Sequence, residues 1–199
     1  MTQDRRIRRT QKLLGEALIA LVLENGYKNI TIQDVTDRAD IGYRTFFRHY
    51  TGLDELFIDS AQTRLDELYE LLNLSQANGE VIDIYASFLG NDDPSLRRVT
   101  LFKYIQDNQK IFRVLLLDNN LRFVLEPVMK MARKKTELLL SGLPKTGISI
   151  SIIANHIIAS VFALMRWWLE NDMPHSPEKM SEIFTDLIVE PVWLAMTRE

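Results

Sequence analysis

The chain contains no cysteine. Disulfide frameworks, thiolate metal sites and cysteine nucleophiles are therefore excluded. Its three histidines, at positions 49, 156 and 175, are too scattered to share metal-ligand spacing. No phosphate loop, dinucleotide fingerprint or nucleophile elbow is present. Adjacent acids such as Asp54-Glu55, Asp66-Glu67 and Asp92-Asp93 read as helix caps and solvated faces, not as a paired acid and base. Together these absences argue against an enzyme, and no metal or cofactor is expected. The charged N-terminal end is not followed by an apolar run long enough for a signal peptide. The most apolar segment, Ile148 to Leu169, approaches the length of a membrane span. It also holds Asn155, His156, Arg166 and serines at 149, 151 and 160. A helix buried in a core or a subunit interface is expected there, in a cytoplasmic protein with no membrane partner.

The chain also lacks internal repeats, low-complexity tracts and a convincing strand. What it does have is ordinary globular composition: 199 residues, 46% hydrophobic and 26% charged. The net charge of −3 hides an asymmetry. The first fifty residues carry nine Lys or Arg against six Asp or Glu, and the remainder fifteen against twenty-one. Such a chain meets polyanions through its N-terminal end.

That end is also the most informative in pattern. Leu14, Ala17, Leu18 and Leu21 mark one face of a long helix that stops at Asn25-Gly26, where glycine suits the turn. A basic arm of Arg5, Arg6, Arg8, Arg9 and Lys12 precedes it. Thr31, with Asp34 three residues on, starts a second helix through a capping box. Ile32, Val35 and Ala39 follow at helical spacing, and Asp40-Ile41-Gly42 interrupts the pattern. A third helix carries Phe46 and Tyr50 on one face, with Tyr43, Arg44, Thr45, Phe47, Arg48 and His49 around it. Arginine forks onto guanine, threonine meets a thymine methyl or a phosphate, and aromatic and His groups reach backbone oxygens. By itself the pattern also fits a plain helical hairpin with a solvated basic face.

The order of these features resembles the TetR family of bacterial transcriptional regulators. The matching residues are Ala17, Leu18, Leu21, Asn25-Gly26-Tyr27, Thr31, Val35, Asp40-Ile41, Thr45-Phe46-Phe47, His49-Tyr50 and Glu55-Leu56. They extend over roughly the first fifty residues and three helices. Where the family often has Ser, Gly, Tyr and Lys, this chain has Gly42, Arg44, Phe47 and Leu53. The phosphate contacts of that tyrosine hydroxyl and lysine are therefore not carried over. The resemblance implies an all-α protein: a three-helix, helix-turn-helix DNA-binding domain at 1–50, and a helical effector-binding and dimerisation domain at 51–199. Expected DNA contacts are Arg5, Arg6, Arg8, Arg9, Thr31, Tyr43, Arg44, Thr45, Phe47, Arg48, His49 and Tyr50.

Everything after Tyr50 reads as helices and short loops. Leu53 to Leu72 forms an amphipathic helix, and Glu80 to Leu89 a short one. Pro94 opens another, and Pro127 should kink or divide a helix running from Asp118 to Ser141. Gly142-Leu143-Pro144 is a stop. The last two helices are unusually apolar, and Ile157, Val161, Leu164, Met180, Phe184, Leu187, Ile188 and Trp193 are candidates for a two-fold four-helix interface or for a monomer core. TetR-like proteins commonly hold a small effector in this region. The implied lining draws on Phe88, Phe102, Tyr104, Phe112, Phe123, Phe162, Met165 and Trp168, with His156 as a polar contact. An aromatic or amphipathic effector is expected. The reading is a homodimeric repressor on a palindromic double-stranded DNA operator, released by a small molecule. The alternatives are an activator, a regulator controlled by a protein partner, or a helical ligand-binding or interaction protein that no longer reads DNA.

Overall fold

Local capping chemistry fixes the first helices. In the computed structural model, which describes residues 2–72, 94–141 and 147–197, every regular element is helical. Helix α1 (Thr2–Asn25) ends at Gly26, whose φ of 74° is open to glycine and strained for other residues. Helix α2 (Ile32–Ala39) opens on the expected capping box: Thr31 Oγ1 accepts from the Asp34 N–H at 3.2 Å, and the Asp34 carboxylate accepts from the Thr31 N–H at 2.8 Å. Asp40 turns the chain in the left-handed region at φ 53°, and Gly42 leads into α3 (Tyr43–Phe46). One regular turn is all that α3 has. Phe47 to His49 continue as tighter turns, so the predicted helix to Tyr50 is shorter than its sequence pattern.

Helix α4 (Leu53–Leu71) leaves the three-helix head and runs into the rest of the molecule. It is followed by α5 (Pro94–Asp107), α6 (Gln109–Leu117), α7 (Arg122–Leu140) and α8 (Ile150–Glu170). The C-terminal pair is α9 (Pro177–Phe184) and α10 (Glu190–Thr197), joined without a break by a π-helical turn at Thr185–Val189. Ser176 caps α9 by accepting from the Lys179 N–H at 3.3 Å, with Pro177 in the first turn. The predicted helix at Glu80–Leu89 and the stop at 142–144 lie outside the described residues.

Pro127 does not divide α7. Proline forfeits one backbone hydrogen bond and crowds the preceding turn. Packing of α7 against both α4 and α8 holds the helix together across that point.

The head is not a separate globule. Its core joins Leu14, Leu18, Val35, Phe46 and Tyr50 to Leu56 and Phe57 of α4, then to Ile111 of α6 and Leu121 and Val124 near the start of α7. Tyr27 packs with tilted rings at 5.5 Å from Phe57 and 5.4 Å from Phe123, and its hydroxyl donates to Asp54. A second core, built on Phe102, Ile105, Trp168, Met180 and Phe184, binds α5, α8 and α9 together.

Candidate nucleic-acid interface and buried cavity

Phe46 is fully buried, and this roots α3 and turns its neighbours outward. Tyr43, Arg44, Phe47 and Arg48 are exposed, and Thr45 and His49 are half-buried beside them. Phe47 makes edge contacts of 5.3 Å with both Tyr43 and Phe46, which hold the exposed aromatic pair in place. Thr31 is exposed at the start of α2, although its hydroxyl already serves the capping box. Tyr50 does not share this surface. It is 4% exposed, and its hydroxyl donates to Asp59 on α4 at 2.5 Å. Burial, then the neighbouring carboxylates, pushes its phenol well above the ordinary range. Tyr50 therefore positions the head on α4 and offers nothing to DNA.

The expected basic arm is part of α1. Arginine is a good helix former, and no Gly or Pro interrupts residues 2 to 14. Arg5, Arg6, Arg8 and Arg9 are all exposed. Helical spacing places Arg5, Arg8, Arg9 and Lys12 on one side. The sequence reading passed over Lys28. It is exposed in the 3-10 turn at Tyr27–Asn29 and shares a shallow groove with Thr31, Thr51 and Gly52. A lone cation next to a helix start was the signal available. Arg38 is exposed too, but it forks onto Glu24 at 2.5 and 2.8 Å and ties α2 to α1.

Between α4 and the C-terminal helices lies a cavity of about 210 Å³ with an overwhelmingly apolar lining. Four of the anticipated residues line it: Tyr104, Phe112, Phe162 and Met165. Four others do not. Phe102 and Trp168 are packed against each other at 5.6 Å in the second core, and Phe123 belongs with Tyr27 in the head core. His156 is exposed on the outer side of α8, so it cannot contact a ligand in the cavity. Phe88 lies outside the described residues. The sequence pattern located the aromatics on the right helices, but it did not say which side of each helix faces the cavity. It also missed Arg64, the cation that breaks the apolar stripe of α4 and lines the cavity. Among the described residues, no cluster of three or more His, Asp or Glu could hold a metal ion.

The anticipated interface residues divide in the same way. Met180, Phe184 and Ile188 are buried in the subunit's own core. Ile157 and Val161 line the cavity, and Leu164 packs against the second core. Leu187 and Trp193 point outward. The exposed apolar face consists of Ile152, Ala159, Ala163 and Trp167 on α8, with Leu187 and Leu194 beyond α9. The reason is the π turn. A residue added there keeps Met180, Phe184, Ile188, Val192 and Met196 in one buried line at four-residue spacing. By length and composition α8 could cross a membrane, but its inner side is built into the cores described above.

A family model described as a transcriptional regulator C-terminal region matches residues 95–190. An uncharacterised helix-turn-helix transcriptional regulator of Bacillus subtilis, YxbF, is 32% identical over 78 residues, which is 39% of this chain and 20% of that protein. The chain spans about half or less of the length of the curated relatives it matches. Two solved structures cover nearly all of it. NalD, the secondary repressor of the MexAB-OprM multidrug efflux pump in Pseudomonas aeruginosa, superposes with a TM-score of 0.63 at 18% identity over 98% of both chains. FadR of Bacillus subtilis, solved with stearoyl-CoA, gives 0.62 at 14% identity over 89% of this chain and 97% of that one. At these identities the likeness is one of fold.

Proposed function

We propose that this chain, which belongs to the TetR family of transcriptional regulators, is a sequence-specific DNA-binding regulator, a repressor released from its operator by a small molecule. Residues 1–50 would read DNA, and residues 51–199 would sense and dimerise. Arg44 and Thr45 read bases in the major groove, and Arg48, Lys28 and the α1 arginines hold phosphates or the minor groove. The protein acts in the cytoplasm as a two-fold homodimer through the exposed face of α8 and the C-terminal helix. Its two recognition helices then enter successive major grooves about 34 Å apart on a palindromic operator. The activity is binding and switching, without catalysis.

One observation carries the ligand-controlled reading: Ile111 and Val124 belong to the head core and also line the cavity. A ligand that fills the cavity touches residues that also support the head. It shifts the molecule away from the DNA-bound conformation only as far as it binds the other conformation more tightly. The apolar lining with a few polar groups, together with the stearoyl-CoA held by the FadR neighbour, favours an amphipathic effector.

The test has two steps. Selection of bound sequences from random DNA should return a palindrome. Candidate effectors are then titrated with and without that operator. An inducer binds more weakly when operator is present, by the factor with which it weakens operator binding. Equal affinities in both titrations reject a compound as inducer. Failure to enrich any sequence rejects the DNA-binding reading altogether.

A further inference from the structure

Polar groups along the cavity are few and unevenly placed. Tyr69 contributes little to the interior, because its hydroxyl is taken up by the Ala132 carbonyl at 3.3 Å and the Thr136 hydroxyl at 3.4 Å. Thr136 in turn donates to the same carbonyl at 2.9 Å. Arg64, Tyr104 and Asn108 remain. Tyr104 and Asn108 are one turn apart on α5 and just beyond its end, joined by an Asn108 Nδ2 bond to the Tyr104 carbonyl at 2.9 Å. The Tyr104 hydroxyl lies close enough to Arg64 to interact with its charge, which outweighs that of Glu67, an exposed carboxylate one turn along α4. These three side chains form one polar end.

The rest of the lining is hydrocarbon. Along α4 it passes from Arg64 through Leu65 and Leu68 to Leu72, which packs near Leu139 of α7. Arg64 to Leu72 is eight residues of helix, about 12 Å. Arg64 is half-buried, and no ion pair within 4.0 Å joins it to an acid among the described residues. A guanidinium at the wall of an apolar cavity favours an anion, because its charge is weakly screened there. A compact polar end and a long apolar remainder define a direction as well as a class of ligand.

We infer that the cavity takes a single-chain amphiphile with an anionic head, the head on Arg64, Tyr104 and Asn108 and the hydrocarbon chain running along α4 toward Leu72 and Leu139. This rests on the reading of the cavity as the effector site. It adds the charge of the ligand, its orientation and the helix that feels it. The head group engages α4, the helix that Tyr27 and Tyr50 fasten to the DNA-binding head through Asp54 and Asp59. Carboxylates and the phosphates of an acyl thioester share this chemistry.

The experiment uses the full chain and calorimetry with octanoate, decanoate, dodecanoate, dodecanol and dodecanoyl-CoA, each below its micellar concentration. Dodecanoate should bind saturably, and each added methylene should tighten binding about fourfold until the cavity is full. Arg64→Gln should weaken dodecanoate at least tenfold while leaving dodecanol unchanged, and the unchanged dodecanol shows that the variant's cavity is intact. Dodecanoyl-CoA separates the sources: tighter than dodecanoate, it marks an acyl thioester, and weaker, a free acid. Equal affinity for dodecanol and dodecanoate in the wild type overturns the anionic head. An Arg64→Gln variant that weakens both probes alike overturns the assigned orientation. Absence of saturable binding by every probe overturns the inference as a whole. The DNA-binding reading is judged separately, by operator selection on the same preparation.

Discussion

Leu187 and Ile188 are neighbours in sequence, one exposed and the other buried, which makes them a matched test of the dimer. Ile188 is 4% exposed and belongs to the core of α5, α8 and α9. Leu187 is 65% exposed in the single subunit, beside Leu194. Ile188→Asp removes about 1.5–3 kcal/mol of apolar burial. It also buries an unpaired carboxylate, at several kcal/mol more. The sum approaches the ~5–15 kcal/mol that keeps a domain folded. Leu187→Asp costs the free subunit almost nothing, as surface changes usually stay within about 0.5 kcal/mol. In a two-fold interface the change occurs twice. With about two-thirds of each side chain left to bury, the loss is ~1–2 kcal/mol per copy and ~2–4 kcal/mol per dimer. The dimer dissociation constant should rise roughly 30- to 1000-fold. Sedimentation equilibrium measures the association, and thermal denaturation followed by circular dichroism measures the fold. Leu187→Asp should give a folded monomer with weak operator binding, and Ile188→Asp an unfolded chain. A wild type that is monomeric at micromolar concentration would falsify the proposed interface. So would a Leu187→Asp protein that dimerises as tightly as the wild type.

Three further outcomes are expected. Arg44→Ala should cost about 1–3 kcal/mol on the operator and relax one position per half-site, while Arg5→Ala weakens all DNA and flattens the salt dependence; equal loss of specific and random DNA binding for Arg44→Ala counts against base reading. A Cβ on Gly15 would lie 2.6 Å from Ser60 Oγ where α1 crosses α4, so Gly15→Ala should destabilise by about 1–3 kcal/mol and Ser60→Ala should restore most of it. If that crossing has slack, Gly15→Ala alone will instead raise the melting temperature, as expected of a helix interior. Burial first, and then Asp54 and Asp59, hold the Tyr27 and Tyr50 phenols above their usual range. Above the ordinary phenol value of about 10 the folded chain therefore binds more protons than the unfolded one, and stability present below that pH is lost as pH rises. Denaturant melts from pH 8 to 11 should show that decline, and it should be shallower in a Tyr27→Phe, Tyr50→Phe double variant.

The sequence by itself determined the end of α1 and the starts of α2 and α9, and with them the outline of the helix-turn-helix. Thr31 with Asp34, Gly26 after Asn25, and Ser176-Pro177 are local devices whose geometry is complete within a few residues. Arg44 and Arg48 were legible as surface for the same reason, because Phe46 supplies the only large apolar anchor within α3. Packing decided the rest. Helix α8 is apolar on nearly every side, and an all-round apolar pattern does not tell cavity wall from subunit core or exposed face. Tyr50 matched a DNA-facing position in pattern, but its partner Asp59 is on another helix, and only docking of α4 brings the two together. His156 stood among apolar neighbours in sequence and lies on the outside of the helix they share. At Thr185–Val189 the helix takes π geometry, which shifts the register and turns Leu187 outward while Ile188 stays buried. A side chain's identity fixes what it can bond. Which of its neighbours is within reach is settled only when helices distant in sequence pack together.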